Sequence, residues 1–431
     1  YASRLVDGEL ILYMPYYVAF DRNNYEPTFP KLHQWDKNKK EVGEGEAILD
    51  KTNVYKPVQK TLYPTLHTVM RCDVQDFDCE AKGILGPYSR NFYVSPEAIY
   101  LWVSDSSSYY YLEDSSDEKD EDEKLNDAFV YRFDLKDNDI TGLATKGSPI
   151  DQFSFKEADG YLNVVTRSDA WGDALWFPEF SSGDLSLLRI RTSKFDDDPI
   201  VAKKRYYHPL NESAGTNMQN RFVGDYLVYG AANYWYYFDE DTGDFDQELY
   251  IYNYVKDSDV DVVELDHNVK RIDLLGENAI AIGSDDNDLY FTSIKLDKSR
   301  DADTFKLKDV SQAESRSHGF FFKKNPGDSG GVLGLPIFDT GMSIRPLADS
   351  GVEVIYLEVD DDLDFENLGI ISSKSDNQTD DSCTVSCVDW YGNSRPIFYD
   401  GKVYTLIGYE LVQGEVQDGE IVELERVGFG V

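Results

Sequence analysis

Short runs rich in Val, Ile, Tyr and Phe alternate along the chain with clusters of Asp, Gly, Asn and Ser, and helical periodicity is nearly absent. Alternation of this kind marks strands joined by tight turns. One unit recurs: an apolar run, a turn carrying Gly, Asp or Pro, and a second apolar run. It is read at Leu5-Val6-Asp7-Gly8-Glu9-Leu10, Tyr93-Val94-Ser95-Pro96-Glu97-Ala98, Ala158-Asp159-Gly160-Tyr161, Val223-Gly224-Asp225-Tyr226, Leu275-Gly276-Glu277-Asn278 and Tyr399-Asp400-Gly401-Lys402. Asp-Gly and Gly-Asp supply the positive φ that a reversing hairpin needs.

These turns lie 88, 64, 65, 52 and 124 residues apart, and the last gap has room for two units. A hairpin from Phe320-Phe321-Phe322 through Asn325-Pro326-Gly327-Asp328 to Val332-Ile337 divides it. Complementary strands are expected at Phe129–Leu135, Leu185–Ile190, Leu249–Tyr254 and Val354–Leu357. The expected fold class is all-β: a β-propeller of about seven blades with long, acidic loops. Residues 1–431 would form a single β-propeller domain, with residues 104–126 an acidic loop insertion within it. A parallel sheet would need crossover helices, which the pattern lacks; a pair of stacked β-sandwiches is the alternative. The longest apolar run, Leu10 to Phe20, is broken by Pro15 and is shorter than the roughly 20 residues of a membrane helix, so no membrane insertion is expected. The chain starts at Tyr1 without a charged-then-apolar leader, which reads as a processed or truncated product.

Four stretches carry a family resemblance: Ser3-Arg4-Leu5-Val6-Asp7-Gly8-Glu9-Leu10, Tyr93-Val94-Ser95-Pro96-Glu97-Ala98-Ile99-Tyr100-Leu101, Asp151-Gln152-Phe153-Ser154-Phe155 and Asp159-Gly160-Tyr161-Leu162-Asn163-Val164-Val165-Thr166. They resemble secreted proteins with a C-terminal β-propeller domain distantly related to WD repeats, a family without assigned activity. The resemblance covers nearly the whole chain and implies export and a propeller, with further sequence upstream of Tyr1. The acid-rich insertion and long loops depart from it.

Charge narrows the partners. With 81 acidic residues against 42 basic, the formal charge is −39. Nucleic-acid affinity rests on Lys and Arg neutralising phosphates, and anionic headgroups repel an acidic surface, so cations or cationic surfaces are the expected partners. Disorder is excluded by 6 Trp, 31 Tyr and 23 Phe, because that many rings need a core or a binding surface. The cysteines fall into two local pairs, Cys72 with Cys79 and Cys383 with Cys387, read as two short disulfides; a four-Cys zinc site is the alternative and would want tighter knuckles. Disulfides place the protein in a secreted or periplasmic setting, and the sequons at Asn211 and Asn377 fit an exported surface.

Candidate chemistry sits in acids and rings. Carboxylates clustered in a turn offer the oxygen ligands Ca²⁺ prefers, and Asp239, Asp241, Asp244 and Asp246 are the best spaced, so Ca²⁺ is the expected cofactor. They do not form an EF-hand, because Gly243 falls at the fifth place and Tyr250 at the twelfth. Asp196-Asp197-Asp198, Asp285-Asp286-Asn287-Asp288 and Asp360-Asp361-Asp362 with Asp364 are further clusters, for each of which a solvated turn is the plainer reading. The block Glu113 to Glu123 is too polar to bury and reads as a projecting loop. Rings beside carboxylates build sugar sites, and Trp171, Trp176 and Phe177 are the expected ligand-binding residues, with packing between blades the alternative; in Tyr109-Tyr110-Tyr111 and Tyr234-Trp235-Tyr236-Tyr237 consecutive rings point to both faces of a strand, one side core and the other available for exposure. Gly327-Asp328-Ser329-Gly330-Gly331 matches the nucleophile motif of trypsin-like proteases, yet none of His33, His67, His208, His267 and His318 has the context that chemistry uses, and the segment falls on an expected turn.

No catalytic residue emerges. The expected function is a secreted, non-catalytic β-propeller serving as a binding or extracellular assembly module stabilised by calcium, with a protein or glycan partner at the cell exterior and a capacity for self-assembly. An exported polysaccharide-acting hydrolase and a subunit of an extracellular filament or surface layer are the alternatives.

Overall fold

The structure is a computed structural model that describes residues 2–18, 28–33, 35–50, 52–56, 64–76, 78–104, 128–171, 180–211, 217–232, 247–298, 300–327, 330–342, 352–374 and 394–429. Its described residues form antiparallel β-sheets joined by turns and single 3₁₀ turns, with no α-helix among them. The chain divides into two units, Tyr1–Leu210 and Asn211–Val431.

The first unit holds three sheets of four or more strands. In the first sheet Ala2–Val6, Glu9–Tyr17, Thr65–Asp73 and Cys79–Gly86 run in order, and Val54–Tyr55 adds in parallel to the last. The second is Ser89–Val94, Ala98–Ser104, Ala128–Asp134 and Ile140–Thr145, again with a parallel addition, Ile200–Val201. In the third, Phe155–Ala158 and Ser148–Pro149 pair with Tyr161–Trp171, followed by Phe180–Arg191 and Tyr207–Pro209. Two small two-stranded sheets sit in the long connection of the first sheet.

The second unit holds four such sheets. The fourth sheet is Asn217–Val223, Tyr226–Ala232, Glu248–Asn253 and Asp261–Glu264, and the fifth Arg271–Leu275, Asn278–Asp285, Asp288–Lys295 and Arg300–Leu307. In the sixth, Phe321–Lys324 and Val310–Gln312 both pair with Gly331–Asp339, followed by Glu353–Val359 and Phe365–Ser372. The seventh is Ser394–Tyr399, Lys402–Ile407, Glu410–Gln417 and Glu420–Gly428.

Each hairpin read from the sequence joins the first two long strands of one sheet. The local cause is visible at Asp7-Gly8, where φ is 48° and 88°, and at Asp400-Gly401, where it is 49° and 73°. Glycine and aspartate tolerate this left-handed region where a β-branched residue would be strained. The strands read around Phe129, Leu185, Leu249 and Val354 each lie in a sheet interior, between two partners.

Alternation then makes the core. In the second sheet Ala98, Tyr100, Trp102 and Val130 face a cluster shared with Leu162, Val164, Leu188 and Ile190 of the third. Ile99, Leu101, Val103, Phe129 and Tyr131 face the other way, onto Ile11, Tyr13, Val69 and Ile84 of the first. Successive side chains on a strand point to opposite faces, so this sheet is covered on both sides and its second strand is buried along its full length. In the second unit the opening strands of consecutive sheets stand against one another, Asn217–Val223 with Arg271–Leu275 and that strand with Phe321–Lys324.

Candidate functional site

The expected calcium ligands Asp239, Asp241, Asp244 and Asp246 lie outside the described residues, as do Trp176, Phe177 and the block Glu113 to Glu123. For Trp171 only its strand pairing with Phe180 is described. Cys383 and Cys387 also lie outside them, whereas Cys72 and Cys79 form the expected disulfide across a register pair of the first sheet. Of the protease-like motif, Gly327 sits at the hairpin turn of the sixth sheet, with φ 81°, and Asn325 N–H donates to Gly330 O at 2.9 Å; Asp328 and Ser329 lie outside the described residues.

The other acidic clusters spend oxygens on backbone N–H groups, Asp360 and Asp196 within their own turns and Asp288 on the adjoining strand end. Asp360 Oδ1 accepts the N–H groups of Asp362 and Asp364, both at 2.9 Å. Asp288 Oδ1 accepts Asp309 N–H at 3.0 Å, while its Oδ2 lies 2.7 Å from Lys306 Nζ. Asp196 Oδ1 accepts Asp198 N–H at 3.2 Å. Aspartate side chains mimic a backbone turn in this way, which explains their abundance between strands. Among the described residues no group of three or more His, Cys, Asp or Glu side chains is placed to hold a metal ion.

One cavity in the first unit gathers chemistry. It has a volume of about 440 Å³ and lies where the outer edges of the first and second sheets meet. Tyr55 and Lys56 reach it from the parallel addition to the first sheet, Asp139 to Gly142 from the last long strand of the second, and Asp196, Asp197 and Pro199 from the approach to the other addition. Phe129 and Tyr131 form its floor, being nearly fully buried, and Tyr55 stands 42% exposed at its side. Gly142 makes room for that floor: a Cβ there would come within 2.4 Å of Phe129 Cζ. The same glycine holds the acidic loop, donating to Asp196 O at 3.0 Å and accepting Asp196 N–H at 3.3 Å. Three aspartates, one lysine and three aromatic residues therefore line one opening. Asp196 and Asp197 were named from the sequence as a turn; Tyr55 carries no signal there, because a two-residue strand has no periodicity to read.

A second set of charges binds sheets to one another. Arg221 of the fourth sheet reaches Asp273 of the fifth at 3.3 Å. Arg271, nearly fully buried, donates within the fifth sheet to Asp273 at 3.0 Å and, toward the sixth, to Gln312 at 2.9 Å and the carbonyls of Glu314 and Arg316 at 2.8 and 2.9 Å. Glu314, with no exposed surface, accepts Arg316 Nε and Nη2, each at 2.8 Å, and His318 Nε2 lies 3.3 Å away. Burial pushes the Glu314 carboxyl up, but the close His318 ring and the hydrogen bonds from Arg316 outweigh it and hold the group below its ordinary pKa. The sequence signal for these staples is an arginine just ahead of an apolar run, as in Asn220-Arg221-Phe222 and Lys270-Arg271-Ile272.

Consecutive antiparallel sheets, each opened by a tight hairpin and packed face to face through alternating apolar layers, define a β-propeller. Residues 2–194 match the sequence family described as the beta propeller domain. No curated protein matches the chain. Among solved structures, Hsv2 from Kluyveromyces lactis is similar with a TM-score of 0.40 at 10% identity, over 85% of this chain and 95% of that one. Hydrazine synthase from Kuenenia stuttgartiensis is similar with a TM-score of 0.36 at 8% identity, over 77% of each chain.

Proposed function

We propose that this β-propeller is a non-catalytic binding module working outside the cell, and that the cavity between the first and second sheets receives a glycan. The cavity carries the reading: an exposed Tyr55 ring beside Asp139, Asp196 and Asp197 offers a stacking surface and hydroxyl acceptors, the mix of apolar wall and few polar groups typical of small-ligand sites. The Cys72–Cys79 disulfide supports an oxidising compartment. Calcium held by Asp239, Asp241, Asp244 and Asp246 stiffens the module in this reading. Calorimetric titration of cello-, xylo-, manno- and chito-oligosaccharides tests it. Saturable binding lost in Asp197→Asn and Tyr55→Ala variants is expected, with the oligosaccharides recovered intact. Absence of binding across the panel refutes the glycan site, and accumulation of shortened products supports the hydrolase instead.

A further inference from the structure

A chain with almost twice as many acids as bases nevertheless concentrates cations in one place. Residues 189–205 contain six basic side chains and three acidic ones. The third sheet's register brings them together. Tyr161 pairs with Arg191 and Asn163 with Arg189, so Arg189 and Arg191 share the face of Tyr161 while Leu188 and Ile190 turn to the core. The Arg189 and Arg191 guanidinium carbons lie 4.3 and 4.6 Å from the Tyr161 ring centroid. Leu188 pairs with Tyr207 on the next strand, which sets Tyr206 beside Arg189. Arg205 lies over the Tyr206 ring at 5.1 Å and donates to its hydroxyl at 3.1 Å. Hydrogen bonding and charge from Arg205, with the charges of Lys194 and Lys203, hold the Tyr206 phenol below its ordinary pKa, so these groups share one field. Arg191, Lys194, Lys203, Lys204 and Arg205 are all exposed, and among the described residues none of them is in an ion pair with a carboxylate.

We propose that this face of the third sheet docks an acidic polysaccharide, independently of the glycan cavity. Five exposed, unneutralised cations complement a polyanion, and guanidinium forks match carboxylate and sulfate groups in pairs. Duplex DNA is a stiff rod with a persistence length of about 50 nm, so it would carry its phosphates onto the acidic remainder of the surface. Single-stranded nucleic acid gains its affinity from bases stacked on free aromatic faces, whereas both tyrosines here are already engaged by guanidinium groups. A narrow, flexible chain of uronates can follow the strip of cations and leave the acidic surface beyond Asp196, Asp197 and Asp198 at a distance.

The experiment is fluorescence anisotropy of labelled polygalacturonate with the full chain at 50 and 200 mM NaCl. Binding at 50 mM that weakens at least tenfold at 200 mM is expected, since counterion release makes polyanion binding steeply salt-dependent. Replacing Arg191, Lys194, Lys203, Lys204 and Arg205 together by Gln is expected to lower affinity at least tenfold with the thermal midpoint retained. The double variant Arg191→Lys with Arg205→Lys, which keeps the charge but loses the forks, is expected to lower affinity by less than the five Gln replacements do. A control with Gln at the exposed Lys256, Lys308, Lys323, Lys324 and Lys402 changes the net charge equally. The proposal is overturned by absence of binding at 50 mM, by an equal loss in the control, or by tighter binding of polyglutamate or an oligo-dT probe than of polygalacturonate.

Discussion

His67 is the group through which acid should loosen the first unit. It lies in Thr65–Asp73, an interior strand of the first sheet, with no exposed surface. Its Nε2–H donates to Pro87 O at 2.8 Å, which leaves Nδ1 to accept the Tyr13 hydroxyl at 2.7 Å. The neutral ring satisfies both bonds. Burial, opposed by the Pro87 bond and aided by the charge of Arg90, pushes the imidazole from 6.5 down to about 4. The unfolded chain therefore takes up its proton near 6.5 and the folded chain only near 4. Between those values the unfolded state binds more protons, so stability falls as pH falls through this window and is unaffected by His67 above it. Roughly 2.5 pKa units at 1.36 kcal/mol each amount to about 3 kcal/mol. Urea unfolding of the native chain and of a His67→Gln variant at pH 7.0 and pH 4.0, with tyrosine fluorescence and circular dichroism as probes, isolates the effect, because every other titrating group is common to both. The native chain should be more stable than the variant at pH 7.0, and that advantage should shrink by about 3 kcal/mol at pH 4.0. An advantage of the same size at both pH values would refute the reasoning.

Three further outcomes are expected. Arg271→Met removes a donor to Asp273, which keeps Arg221 at 3.3 Å, and the donor to the carbonyls of Glu314 and Arg316; losing charged hydrogen bonds in a buried site should cost about 1.5–3 kcal/mol, read as a lowered denaturation midpoint of the second unit. Removing the disulfide with Cys72→Ser and Cys79→Ser should cost about 2 kcal/mol for so short a loop, seen as faster amide exchange along Thr65–Asp73 and Cys79–Gly86. If the acidic segment containing Asp239 and Asp246 binds Ca²⁺ with a dissociation constant near 10 µM, 1 mM Ca²⁺ should add about 2.7 kcal/mol over EDTA, with a smaller rise in the thermal midpoint from Mg²⁺; equal small responses to both ions would reduce these acids to surface charge.

The hairpins were legible because their cause is local. Asp7-Gly8, Asp159-Gly160, Gly224-Asp225 and Asp400-Gly401 each encode a reversal in two residues, and the apolar alternation on either side sets which face is buried. The disulfide was legible for the same reason, with both cysteines on one hairpin. The parallel additions Val54–Tyr55 and Ile200–Val201 were not, since two residues fit any periodicity and their partners lie far along the chain. The cavity beside Tyr55 follows from those additions and was invisible with them.

Sequence alone determined the strands, the turns and the preponderance of negative charge, all of which depend on neighbours within a few residues. Tertiary structure decided which charges meet. Arg221 finds Asp273 at a separation of 52 residues, and Arg271 finds the Glu314 carbonyl at 43. Lys194 and Lys203 come to the same tyrosine only because Phe180–Arg191 pairs with both Tyr161–Trp171 and Tyr207–Pro209. A turn is chosen by the φ its own residues tolerate, whereas a salt bridge or a cationic face exists only once whole strands have settled in register, and that register is fixed by burying apolar faces far apart in the chain.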